Sequence, residues 1–227
     1  MSMGRRVRVF CFSTLFAVLM TLAVGAAPMP QLILVYAEDA EQVTLTDATG
    51  TSVPVSEGMT IGIGLKVRTK ASSLELRLEP NGSVLKLARN TLFEVKSLQG
   101  LYAASNSFEV LSGKIRLVAA KLAGVKNLYN VITPTAQAGV RGTDFAVEAN
   151  AEEGDWVCVK EGTVEFAVLN PQGAPVKSIL VSAGEFANAK AATFAPRKAS
   201  PADLADKFEG LEFVNAKEAD VPGHEVP

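Results

Sequence analysis

The chain has 227 residues, 48% of them hydrophobic and 20% charged, which suffices for one packed domain with a small appendage and excludes bulk disorder. Setting aside the three early arginines leaves 19 basic against 24 acidic residues, about −5, whereas a nucleic-acid binder needs a basic stripe to neutralise phosphates. Aromatic residues make up only 7%, so the core has to be built from Val, Leu, Ile and Ala.

At the N-terminus Arg5, Arg6 and Arg8 precede an apolar run from Val9 to Ala27 that ends in small residues. The pattern predicts an export segment over residues 1–27, either a cleaved signal peptide or an uncleaved membrane anchor, since the run approaches the length of a spanning helix. A second small-residue site at Val35, Tyr36 and Ala37 offers an alternative cleavage after 37, and the expected domain runs over 38–189. The basic flank stays inside, so the rest is expected to be exported, periplasmic or extracytoplasmic, touching the membrane only through an uncleaved N-terminal segment. If the segment is cleaved, Cys11 leaves with it. Cys158, between valines in DWVCVKEG, is then a lone, buried and inert thiol.

From Gln42 to Phe186 the sequence keeps the two-residue period of strands. In SLELRLEP, Leu74, Leu76 and Leu78 alternate with Glu75, Arg77 and Glu79, giving one apolar and one charged face. The expected hairpin sets Leu78 opposite Leu85 and Leu76 opposite Leu87 across a loop from Pro80 to Ser83, with Arg77 and Lys86 on a wet face. The Asn81-Gly82-Ser83 sequon is explained by that turn. Further strands start at Thr91, Ser107, Lys114, Leu128, Thr143, Asp155, Thr163 and Val176. Short strands between Gly, Pro and Asn turns predict an all-β fold: a sandwich, roll or flattened β-helix.

One echo recurs: valine, two residues, then glycine at Gly113, Gly162, Gly184 and, more faintly, Gly58. Glycine admits the positive φ of a tight reversal or bulge, and the uneven spacing predicts recurrent corners of one fold, not stacked identical units. Residues 190–227 read as a linker, a short helix and a polar, frayed tail. In SPADLADKFEG, Ser200 is the expected N-cap, Pro201 the first helical residue, Asp203 the dipole partner and Gly210 the stop.

The run TPTAQAGVRGTDFAV, residues 133–147, lacks the lysine and the helix start of a phosphate cradle and is not a dinucleotide fingerprint. As a strand it places Ala136, Ala138 and Val140 on one side and Gln137, Gly139 and Arg141 on the other. Arg141 is expected to hold buried carbonyls or a carboxylate where two segments cross, with Asp144 as a possible partner, and its loss is expected to lower stability.

This run, followed by VCVKEGTVEFAV and VSAGE, resembles the signature of the FecR family, periplasmic regulator domains of ferric citrate signalling. The resemblance rests on Thr133, Pro134, Thr135, Ala136, Val140, Arg141, Gly142, Thr143, Phe145, Glu161, Gly162, Ala183, Gly184 and Glu185, and covers roughly residues 40–188. It implies an all-β extracytoplasmic domain in which Thr133, Pro134, Arg141, Gly142, Thr143, Phe145, Gly162 and Gly184 are structural or contact residues. The family's sigma-controlling members carry a cytoplasmic anti-sigma region before a membrane helix. Fewer than ten residues precede the apolar run here, so direct anti-sigma activity is not expected.

No catalytic residue, cofactor or metal site is expected. His224, the one histidine, lies in the tail, and the carboxylates at Glu152 with Glu153 and at Asp203 with Asp206 read as solvated charge. The expected function is a non-enzymatic interaction module that binds an envelope protein through sheet edges or loops and takes part in signal relay. The alternative is a glycan-binding or structural envelope protein, with Trp156 either stacking on a sugar or packed in the core.

Overall fold

The structure is a computed structural model that describes residues 29–99, 106–121 and 129–223. The expected export segment, Cys11, Leu128 and His224 lie outside the described residues. Strands β1 (Gln31–Ala37), β2 (Thr44–Thr46), β3 (Ser52–Val53), β4 (Thr60–Ile61), β5 (Lys66–Arg68), β6 (Leu74–Glu79), β7 (Ser83–Leu87) and β8 (Leu92–Ser97) lead to the long β9 (Asn106–Val118). After it come β10 (Tyr129–Ile132), β11 (Ala136–Val140), β12 (Asp144–Ala149), β13 (Trp156–Glu161), β14 (Thr163–Leu169), β15 (Pro175–Ser182), β16 (Glu185–Asn188), β17 (Arg197–Lys198) and helix α1 (Pro201–Phe208).

The pairings resolve into two layers. One runs β4-β1-β6-β7-β9-β12-β13-β16-β17. The other runs β3-β2-β5-β8-β9-β10-β11-β14-β15. The chain winds back and forth between them, as a roll or flattened β-helix requires, and the all-β expectation holds.

Strand β9 lies in the middle of both layers. Its first half pairs with β8 and β10, and its second half, from Gly113, pairs with β7 and β12. The sequence suggests two strands broken at Gly113; a single strand with a bulge is found instead. Ser112 pairs with Leu92 and Val110 with Phe93, leaving Leu111 as the extra residue. Gly113 has φ 85°, and a Cβ there would lie 2.7 Å from the Thr91 Cα, so only glycine fits the crossing. The Thr91 hydroxyl accepts from the Lys114 N–H (3.2 Å) and donates to the Lys114 carbonyl (3.1 Å), holding the bend closed.

Alternate residues of both layers form one core. Leu32, Leu34, Leu76, Leu85, Leu87 and Leu117 from the first layer meet Leu45, Val67, Phe93, Phe108, Val131 and Phe166 from the second, all fully buried. Burial of each such side chain contributes about 1.5–3 kcal/mol, which the scarcity of aromatics does not prevent.

Two expectations about the first layer are corrected. The β6–β7 hairpin pairs Leu78 with Ser83 and Leu76 with Leu85, two residues tighter than the alternation suggests. The shift preserves which face each side chain takes but moves Ser83 into the strand. There the Asn81 side chain accepts from the Ser83 N–H, while the Tyr129 hydroxyl meets both Asn81 and Ser83.

The charged face is also not wet. Glu75, Lys86 and Arg116 are buried beneath residues 211–223, which are docked rather than frayed. Glu75 accepts from the backbone N–H groups of Val214, Asn215 and Ala216 (2.6, 3.0 and 2.7 Å), while Leu211, Ala216 and Val221 enter apolar seams between them. The fold therefore extends to both sides of 38–189. Strand β1 begins it at Gln31, and cleavage after Ala37 would remove a strand paired with both β4 and β6.

Helix α1 starts as expected. Ser200 caps it, Pro201 opens it, and Asp203 completes a capping box, its carboxyl held well below the usual range by Arg197 and Ser200.

Burial, opposed by the hydrogen bonds from Ser83 and Asn81, pushes the Tyr129 hydroxyl up to about 12. A folded-state value above the unfolded one means that the folded chain keeps a proton the unfolded chain loses between pH 10 and 12. Tyr129 therefore stabilises fully below pH 10 and progressively less above it. We expect Tyr129→Phe to cost about 1–3 kcal/mol at neutral pH, through the unpaired Asn81 amide, and to remove this group's share of the alkaline loss. Urea unfolding of both proteins across pH 7 to 12 checks this; parallel pH curves would contradict it.

Candidate functional site

The signature run begins as a hairpin. Thr133 closes it twice on Ala136, through its backbone N–H (2.8 Å) and its side chain (3.1 Å to the carbonyl), with Pro134 exposed at the tip. Thr135 donates its N–H and hydroxyl to the buried Asp155 carboxylate (2.8 and 2.6 Å), fixing the hairpin to the β12–β13 turn.

The rest of the signature forms a column of corners where the chain changes layer. Gly142 (φ 60°) and Thr143 take it from β11 to β12, Gly162 (φ 82°) from β13 to β14, and Gly184 (φ 75°) from β15 to β16. The corners pack on one another. A Cβ on Gly162 would lie 2.8 Å from the Thr143 methyl and one on Gly142 2.7 Å from the Lys121 Cβ. Ala183 donates to the Gly162 carbonyl (3.0 Å) and Gly184 to that of Val159 (2.8 Å). Phe145 is fully buried just past the first corner.

Arg141 lies at the surface rather than among buried segments. It is exposed at the end of β11, on the outer face, because the inward position there belongs to Val140. The buried arginine is Arg116, whose Nε and Nη2 donate to Asp144 at 2.8 and 2.6 Å, with Glu218 2.7 Å from Nη1. Asp144, the residue after the signature threonine, thus faces Arg116 on β9 beneath the docked tail. Nothing in the local alternation marks Arg116, which reads there as one more wet-face cation.

The outward face of β11 carries the candidate site. Gln137, Gly139 and Arg141 point out while Ala136, Ala138 and Val140 point in, as the alternation predicts. Gly139 pairs with Asn130 on one side and Glu165 on the other, so a strip of bare backbone lies between two polar side chains. Gln137 donates to the Asn130 side chain (3.3 Å). The result is an open groove of about 390 Å³ whose far wall is β15 with Val176 and Ser178, continued past Arg141 and Thr163 to Leu180. Val176 and Leu180 are 62% and 65% exposed.

Elsewhere the titratable and aromatic candidates are structural. Trp156 is 1% exposed, donates to Glu148 (2.7 Å), and is enclosed by Phe186 and Lys207, so it has no face on which a sugar could stack. Burial pushes the Cys158 thiol up to about 11, in keeping with an inert group. Glu152 and Glu153 are exposed and donate their N–H groups to Asn150, as a turn does. Among the described residues no group of three or more His, Cys, Asp or Glu converges on a metal position, and no helix is long and apolar enough to cross a membrane.

The geometry defines a two-layer all-β domain with a stacked column of glycine corners and one grooved outer face. Residues 66–165 match the family model described as FecR protein. A crystal structure of a protein proposed to be an anti-sigma factor from Parabacteroides distasonis aligns with TM-score 0.50 and 17% identity over 64% of this chain. The chain spans 65% of that protein's length. A second structure with the same description gives TM-score 0.45 and 19% identity over 58% of each chain. At these identities the likeness is one of fold. No curated protein matches the chain. The family is generally non-enzymatic, and its match supports a signalling-related module.

The two arginines give opposite expectations. Arg116→Ala leaves Asp144 buried without its bidentate partner and should cost about 3–5 kcal/mol. Arg141→Ala, at an exposed position, should change stability by no more than about 0.5 kcal/mol. Equilibrium urea unfolding of the two variants distinguishes them; equal losses would restore a structural role to Arg141.

Proposed function

We propose that this chain is a non-enzymatic, extracytoplasmic binding domain of a signalling system, and that it takes an envelope protein in the groove across β10, β11, β14 and β15. The observation that carries the reading is the groove itself. The signature strand presents a glycine-bared backbone strip between Asn130 and Glu165, flanked by Arg141 and by two exposed apolar side chains. Backbone, the cations Lys177 and Arg141, the Glu165 carboxylate and small apolar walls are what an extended polypeptide segment can use. The export pattern of Arg5, Arg6 and Arg8 ahead of Val9 to Ala27 supports the location, and the FecR match supports the signalling context. The burial of Trp156 weighs against the glycan-binding alternative.

A photo-reactive amino acid placed at Gln137 in the native envelope should give a discrete adduct with one envelope protein. The same group at exposed Thr49, in the β2–β3 turn, should not. Arg141→Glu is expected to lower adduct yield at Gln137 at least about tenfold, the scale of one lost charge contact. Equal labelling from both positions, or retention on wall polysaccharide without any protein adduct, would overturn the reading.

A further inference from the structure

The two layers have four edges, and three are closed by familiar means. Strands β3 and β4 are two residues long, and β17 is two residues, both cationic. Short or charged edges resist pairing with other chains. Strand β15 is different: eight residues long, exposed along most of its length, and bearing only Val176, Ser178 and Leu180 on its outer face between Pro175 and Ser182. Its one charged residue, Lys177, lies over the Phe194 ring (5.3 Å), on the opposite parity from Val176, Ser178 and Leu180.

The hydrogen-bond parity of β15 follows from its neighbour. Ala183 donates to Gly162, and Val181, Ile179 and Lys177 stand opposite Val164, Phe166 and Val168 in the same phase. In an antiparallel ladder every second residue bonds to a given neighbour, so these odd-numbered residues serve β14. The N–H and C=O groups of Val176, Ser178 and Leu180 therefore point to the free side. The row ends at Ser182, whose N–H is already taken by Glu185 (2.8 Å).

We infer that this edge pairs with the β15 edge of a second copy of the chain, antiparallel about a two-fold axis through Ser178. The row is self-complementary. With Ser178 opposite its counterpart, Val176 of each copy meets Leu180 of the other, and the outward groups of the three residues close about six main-chain hydrogen bonds. A foreign strand could use the backbone, but the symmetric placement of the two apolar residues about Ser178 is a property that an isologous contact uses twice. The pairing joins the second layers of two copies into one continuous sheet and brings their two grooves edge to edge. It shares Val176, Ser178 and Leu180 with the groove wall but rests on the free main-chain groups of β15, not on what the groove binds.

A strand-to-strand contact is small, so the dimer should form in a concentration-dependent way. Sedimentation velocity on the purified chain, from micromolar to near-millimolar, should show a monomer–dimer equilibrium. Leu180→Lys and Ser178→Pro should each weaken it at least tenfold with the melting temperature within a few degrees of the parent. Ile63→Lys, which changes an apolar side chain 62% exposed on another surface, should leave it intact. Should Ser178→Pro misfold, Leu180→Lys alone decides. A chain that stays monomeric throughout, a dimer indifferent to Leu180→Lys, or one lost equally with Ile63→Lys would overturn the inference. Adduct formation at Gln137 is read on the parent chain and self-association by sedimentation, so failure of this inference and failure of the proposed function are distinguishable.

Discussion

Everything in this fold depends on one strand changing layers without abandoning its main-chain bonds. A buried backbone cannot leave N–H and C=O groups unpaired, so β9 has to find partners on both sides in the second layer and then, within a residue or two, new partners in the first. The bulge at Leu111 and the positive φ of Gly113 achieve this, and the Thr91 side chain takes the bonds that the bend disturbs. Because β1–β8 lie to one side of β9 in each layer and β10–β17 to the other, this crossing also sets how the two halves of the chain meet over a common core.

The outer face of the first layer obeys a different constraint. An isolated buried carboxylate or guanidinium is costly, and the ladder places Glu75 and Arg116 where the tail will cover them. The cost is offset by geometry: Glu75 accepts three successive tail N–H groups and the Lys86 ammonium, and Arg116 grips Asp144 with two bonds. Such pairs add little net stability compared with apolar packing, but they penalise a misplaced tail, because a shift of one residue strands a charge. The apolar anchors Leu211, Ala216 and Val221 supply the attraction, and the charges supply the register.

Local chemistry was legible in the sequence where the determinant was local. The glycine corners, the inward and outward sides of β11, the buried thiol and the capped helix all follow from a few adjacent residues. What was not legible depends on partners far along the chain. The charged face of β6 looks wet because the residues that bury it lie 139 to 141 positions later. Arg116 looks ordinary beside the glycine-flanked Arg141, and only its pairing with Asp144 and the docked tail marks it as the buried arginine. The hairpin register went astray by two residues because the third party that draws Ser83 inward, Tyr129, is 46 residues away. Strand β1 was hidden by its own composition: QLILVYA alternates poorly and adjoins an export-like run, so its hydrophobicity has two explanations.

The column of corners also bears on where function lies. Gly142, Thr143, Gly162 and Gly184 answer to steric needs that any chain wound this way would share, so a signature built on them reports the winding rather than an activity. Residues free to differ between members are those on the outer faces, where a substitution costs little fold stability. On the first layer that freedom is already spent, because the tail covers the face. On the second layer it remains, along Gln137, Gly139, Glu165 and the outer side of β15. The specificity of such a domain would therefore be written on the second layer, in residues that alternate with the signature along the same strand.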